Sequence, residues 1–242
     1  MNRQWLKLVL FALILALVLV IAPNSRQASA LSSGVVISQV YGGGGNSGAS
    51  IKSDFIELFN RGTSSVDLTG WSVQYASSTG TSWQKTDLLP VTLQPGQYLL
   101  IKQADGTGAV PPITNQDVTG TIAMSASSAK VALVSNNTLI VSGTSCPTAG
   151  VVDFLGYGSA TDCYETAPTA NLSASTAALR NTNGCTETDN NSLDFTVVTQ
   201  PLTPRNTSST FNVCPAGDVA PTVTSTSPAD NDTGVAANTN IT

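Results

Sequence analysis

The 242-residue chain is only 10% charged and 6% aromatic but carries 20 Gly and 12 Pro, a balance that points to a β-rich, loop-rich extracellular protein with room for one full domain and part of another. Its net charge is −5, and 7 basic against 15 acidic residues (net −8) remain once Arg3, Lys7 and Arg26 of the N-terminal segment are set aside; an acidic surface without a basic cluster disfavours nucleic-acid binding, which needs Lys and Arg to neutralise phosphates. There is no His, which removes Ser-His-Asp hydrolases, Cys-His proteases, His-ligated zinc sites and His-assisted nucleases, and leaves only a carboxylate mechanism or an Asp-ligated metal as routes to catalysis.

The chain opens with MNRQWLK, an apolar run from Leu8 to Ala22, and a small-x-small pattern at Ala28 and Ala30. That is the pattern of a secretory signal peptide over residues 1–30 with cleavage after Ala30, and the apolar run is short for a retained membrane span. No span is expected after cleavage. VVISQVY, from Val35, reads as a first strand and is followed by a glycine loop. Gly43, Gly45 and Gly48 formally match a dinucleotide-binding pattern, with Asp67 near the distance of a ribose-binding acid. No helical period follows, so the match lacks its structural context and a mobile loop is the reading.

The stretch from Asp54 to Tyr75 reads as two strands joined by a polar turn at Arg61 to Ser64. Ile56 and Leu58 alternate with Phe55, Glu57 and Phe59, so the first strand should cover apolar neighbours on both faces. Val66 and Leu68 share one phase, and Trp71, Val73 and Tyr75 the opposite one. A one-residue change of phase implies an inserted residue, which predicts a bulge at Gly70 that turns Trp71 into the core. Further strands follow: YLLIK after a turn at Pro95-Gly96, KVALVS joined to TLIVSG as a hairpin by Asn136-Asn137, and VVDFLGYG from Val151. Asp105 to Ser128, with Pro111-Pro112, reads as a long loop over the surface. No window carries a convincing helical period, so the fold class is all-β, a β-sandwich.

Cys146, Cys163, Cys185 and Cys214 form an even set in an exported chain, so two disulfides are expected. Three pairings exist. The sequential one, Cys146 with Cys163 and Cys185 with Cys214, closes the shortest loops and clasps the late strands, each loop stabilising by roughly 3 to 3.5 kcal/mol on the chain-entropy account. A zinc site lacks both CxxC spacing and His.

No catalytic residue and no cofactor site stand out. Within CTETDNNSLDF, the residues Glu187, Asp189, Asn190, Asn191 and Asp194 are the densest oxygen cluster. Glu187, Asp189, Asn191 and Asp194 make a candidate calcium set, although the Gly and the terminal bidentate Glu of an EF-hand loop are missing. Asx turns near Cys185 explain the same residues without metal, and that bland reading carries more weight. Asp54 and Glu57 point to opposite faces of a strand and cannot share a substrate. Glu57 is expected to bond to backbone or to a cation such as Arg61, and Asp153 reads as a lone acid.

Taken together, VVISQVYGGGGNSG, DFIELFNRGTSSVDLTGWSVQYAS, LQPGQYLLI, VVDFLGYG, GCTETDNNSLDF and the PRN of Pro204 to Asn206 resemble the bacterial, secreted branch of the lamin-tail domain family. The resemblance spans Ser33 to Cys214 and implies a lamin-tail type Ig-like β-sandwich over residues 31–215 with no catalytic centre of its own. Bacterial proteins of this kind pair the domain with secreted nucleases, phosphatases or surface modules. The family's usual DTDNN stands here as ETDNN, Glu187 to Asn191. After a linker at residues 216–221, SPADNDTGVAANTNIT within residues 222–242 is similar to the start of a bacterial Ig-like domain of surface-layer-type proteins. The resemblance implies an exported, non-enzymatic adhesion, scaffold or binding module, secreted or at the cell surface, with a protein or polysaccharide partner. The alternative is the accessory domain of a secreted hydrolase whose catalytic domain would lie beyond Thr242.

Overall fold

β1 (Val35–Tyr41) and β2 (Ser53–Asn60) are buried along their whole length, because each has apolar partners on both faces. The structure, a computed structural model, describes residues 34–215. The expected signal peptide, the linker and the second Ig-like start lie outside the described residues. The chain then runs through β3 (Val66–Asp67), β4 (Ser72–Ser77), β5 (Gln84–Asp87), β6 (Thr92–Leu93), β7 (Tyr98–Asp105), β8 (Val118–Thr119), β9 (Ala129–Val134), β10 (Val151–Tyr157) and β11 (Thr176–Arg180). A single 3-10 turn (Thr182–Gly184), the short helix α1 (Asn191–Asp194) and β12 (Phe195–Thr199) complete it.

Two sheets face each other, ordered β12-β11-β1-β2-β7-β8 and β10-β9-β4-β5, with β3 and β6 forming a separate ribbon. Ile37, Val40, Ile56, Leu58, Leu99 and Ile101 from the larger sheet meet Val73, Tyr75, Val131, Leu133 and Leu155 from the smaller one. On the outer face of the larger sheet, Tyr41, Phe55 and Leu100 pack under Ile113 and Leu202. Val36, Phe59 and Tyr98 pack against Cys185 and Cys214. The β-sandwich and the two-faced burial of β2 therefore stand as the alternation in the sequence implies.

The phase change lies elsewhere than expected. Gly70, at φ +79°, occupies a turn closed by Trp71 N–H donating to Leu68 O at 3.0 Å. That turn separates β3 from β4, which belong to different sheets, so nothing is inserted within one strand. Trp71 stays half-buried at the edge of the core, and Leu68 fills the position inside it. Register shifts do occur nearby, between Ser53 and Phe55 of β2 against β7 and in β1, where Ile37 faces Leu58 and Gln39 faces Glu57, so Ser38 is the extra residue. This lets Ile37 and Val40 both enter the core although they are three positions apart.

Two loop expectations also change. KVALVS forms β9, but TLIVSG is not a strand; β9 is flanked by β10 and β4, and Ile140 N–H is taken by the Gln74 side chain at 2.9 Å. Residues 105–128 do not lie loosely on the surface. They bury Ile113, Val118, Ile122 and Met124, and β8 pairs in parallel with β7. The Pro95-Gly96 turn is as expected, with Gly96 at φ +79°.

Both disulfides are present with sequential pairing, Cys146–Cys163 and Cys185–Cys214, at Cα separations of 5.3 and 5.5 Å. The second clasps the C-terminal segment onto the outer face of β1, β2 and β7. Among the described residues, no helix is long and apolar enough to cross a membrane.

Candidate functional site

Arg180 ends β11 in the interior with no exposed surface. Its Nη2 donates to both oxygens of Asp153, at 3.0 and 2.8 Å. Nη1 donates to Glu187 Oε2 at 2.5 Å and to Thr186 O at 3.1 Å, and Asp194 Oδ2 lies 3.7 Å away. The guanidinium stacks on the Phe195 ring at 4.4 Å. β1 pairs with β11 only at Gln39 and Val40. Beyond that point side chains replace the ladder: Ile37 N–H donates to Asp153 Oδ2 at 2.6 Å, and Ile37 O accepts from Arg180 Nε at 2.7 Å. The ion pair thus satisfies a strand edge that would otherwise be buried unpaired.

A second acid, Glu165, is buried beside this pair. Its Oε2 accepts from Asn191 Nδ2 at 2.8 Å, whereas its Oε1 has no hydrogen-bond partner among the described residues. Asn191 uses its whole amide: Oδ1 accepts from Gly156 and Glu165 N–H, and Nδ2 also donates to Phe154 O. Asn191 sits there because Asn190 caps α1, accepting from Ser192 N–H at 3.2 Å.

Four carboxylates thus crowd one guanidinium, and their electrostatics follow. Burial, then repulsion from Asp153 and Glu187, pushes Glu165 up to about 10. Burial, then Asp153, pushes Glu187 up to about 7. Burial also raises Asp153, against the pull of Arg180. Burial alone would lower Arg180, but the surrounding acids outweigh it and hold the guanidinium more firmly protonated.

The four residues of the candidate calcium loop do not act as one ligand set. Glu187 turns inward to Arg180, and Asn191 is a staple between β10 and the Glu165 backbone. Asp194 accepts from Thr188 N–H and Oγ1, at 3.0 and 2.7 Å. Asp189, at φ +59°, gives its backbone N–H to Glu187 Oε1. The Asx-turn reading describes Asn190, while the cation facing Glu187 is Arg180.

Asp153, a lone acid by sequence, is instead at the centre of the site. Arg180 and Glu165 carry no signal in a local reading beyond a charge that ends the run TAAL and an acid after Cys163. Glu57 is held by Arg205 rather than Arg61: Arg205 Nη2 donates to Oε1 at 2.7 Å and Ser38 Oγ to the same oxygen at 2.6 Å. Arg61 reaches Cys185 O. Asp54 accepts from Gly44 and Met124 N–H, each at 2.8 Å, and so ties the glycine loop to the 105–128 segment. Glu57 and Asp54 face different neighbourhoods, as the strand spacing requires.

A groove of about 270 Å³ beside β11 and β12 is lined by Gln39, Leu179, Val198, Leu202 and Arg205 among others. Among the described residues, Arg205 is its one ionisable lining group, and it is already engaged with Glu57.

A family model described as Lamin Tail Domain matches residues 28–191, more than half of the chain. The comparison with curated proteins found no match. β12, Arg205 and Cys214 lie past the matched stretch, yet they complete its sheet and its outer face.

Proposed function

The chain belongs to the lamin tail domain family, and from that premise we propose that it is an exported, non-enzymatic β-sandwich module that binds a protein or polysaccharide partner at or outside a bacterial cell surface. The observation that carries this reading is the pairing of Arg180, Arg205 and Lys130 with acids of the fold itself. Arg180 is spent on Asp153 and Glu187, Arg205 on Glu57, and Lys130 on Asp162 at 2.6 Å. Acid catalysis requires a carboxyl within reach of a substrate, and these carboxyls face structural partners. The lack of His in the sequence supports the same reading, and two disulfides support an oxidising compartment.

The test has two arms. Purified protein incubated with DNA and with a phosphomonoester, in the presence of magnesium, calcium or manganese, gives no turnover above buffer. On arrays of proteins and polysaccharides it captures a ligand saturably. Metal-dependent turnover, or an array with no saturable ligand, would overturn the proposal.

A further inference from the structure

Asp153, Glu165 and Glu187 each offer an oxygen within 4.8 Å of the others, and all three are buried. With Asp194 they surround one guanidinium, so full ionisation leaves an excess of three negative charges in the interior. A buried excess of that size is not sustained without a further counter-charge or bound protons.

A second observation points to a ligand. Glu165 reaches this group with a fully buried carboxylate, and its Oε1 has no partner among the described residues. The position is built, because Asn191 holds the other oxygen and has no spare donor left. Orphaned buried acceptors in a native fold call for an explanation such as a bound ion.

We propose that Asp153, Glu165 and Glu187 form a buried divalent-cation site and that calcium is the ion it takes. The donors are all carboxylate oxygens, which select hard cations over zinc or copper. Opposed oxygens around calcium stand about 4.6 to 5.2 Å apart, a span that accommodates donors within 4.8 Å of one another. Magnesium fits less well, since it usually keeps several waters and the three acids are shut away from solvent. Asp153 Oδ2 is filled by Arg180 and Ile37 N–H, but Asp153 Oδ1 and Glu187 Oε2 each accept one bond from Arg180 and retain a second lone pair for the ion. The ion would relieve the repulsion among Glu165, Glu187 and Asp153, and would tie β10 to the segments before and after β11.

Calorimetric titration and thermal unfolding of the purified protein after EDTA treatment test this. Calcium at about 100 times its Kd raises the melting temperature by about 5 to 10 °C for a domain of this size. Glu165→Gln abolishes both heat and shift. In EDTA it still unfolds cooperatively, at a melting temperature close to the parent's, because the amide matches the carboxyl in shape and its oxygen still accepts from Asn191. Asp189→Asn, outside the three acids, keeps the shift. Absence of heat and shift in the parent protein overturns the site and leaves bound protons as its counter-charge. An unchanged shift in Glu165→Gln, or its loss only in Asp189→Asn, places the ion elsewhere and overturns it equally.

Discussion

Arg180 holds both oxygens of Asp153, at 3.0 and 2.8 Å, across 27 residues of sequence and with no exposed surface on either side chain. The pair closes the edge of β1 beyond the point where β11 stops pairing with it, since Ile37 donates to one partner and accepts from the other. Removing Arg180 would take from four acids the guanidinium they surround and would unpair Ile37 O. Arg180→Met is therefore expected to destabilise the fold by about 3 to 5 kcal/mol, read from urea unfolding midpoints at constant slope. A loss no larger than that of an exposed pair, about 1 kcal/mol or less, would refute a buried ionic role.

Asp54 makes stability depend on pH in a predictable direction. Burial pushes its carboxyl from 3.8 up to about 6, despite the backbone N–H groups of Met124 and Gly44 that it accepts. The folded state therefore binds this proton more tightly than the unfolded chain. The stabilisation is full below about pH 4, falls away as pH rises from about 4 to 6, and is gone above that, a change of about 2 to 3 kcal/mol. Melting curves of the parent and of Asp54→Asn, both in EDTA, should diverge in slope across that window. Parallel curves would mean that Asp54 titrates alike in the folded and the unfolded chain.

Leu68, and not Trp71, is the side chain that the chain around Gly70 sends into the core. Trp71 is half-buried, whereas Leu68 has no exposed surface. Trp71→Ala should cost about 1 to 2 kcal/mol, because part of its surface is already in water. Leu68→Ala should cost about 2 to 5 kcal/mol through the cavity it leaves. The reverse ranking in denaturant unfolding would restore Trp71 to the core.

The folding unit extends past the matched family stretch. β12 pairs with β11 from Thr176↔Thr199 to Arg180↔Phe195, and Arg205 is the partner of the buried Glu57. A chain ending at Asn191 exposes the β11 edge and leaves Glu57 buried without its cation, so it should fail to unfold cooperatively. A chain ending at Pro215 should melt in one transition by circular dichroism. A cooperative transition in the shorter chain would show that β12 and Arg205 are dispensable.

Much of the fold was legible in local sequence. Alternation in Phe55 to Phe59, the turn at Pro95-Gly96 and the run from Val151 each marked a strand or turn that the structure contains, because period-2 burial and positive φ are properties of short segments. The bulge was misplaced for a related reason. Two opposite phases around Gly70 fit a bulge and a turn between sheets equally well, and only the pairing partners of β3 and β4 tell them apart. The shift at Ser38 hides in VVISQVY, where every residue is buried and the side chains show no period-2 pattern for a shift to interrupt.

The candidate site was much less legible. Glu187 was found, but in the company of Asp189 and Asp194, its neighbours in sequence, and not of Asp153 and Glu165, its neighbours in space. By itself, the sequence determined an all-β sandwich and an even set of cysteines for two disulfides, since both depend on residue type and spacing along the chain, while the choice among three pairings was made in space. Only the tertiary structure decided which charges are buried and with whom, Arg180 with Asp153 and Arg205 with Glu57. Burial and Coulomb attraction act through space across sequence gaps of 27 and 148 residues, and local periodicity carries no record of what lies on the facing strand.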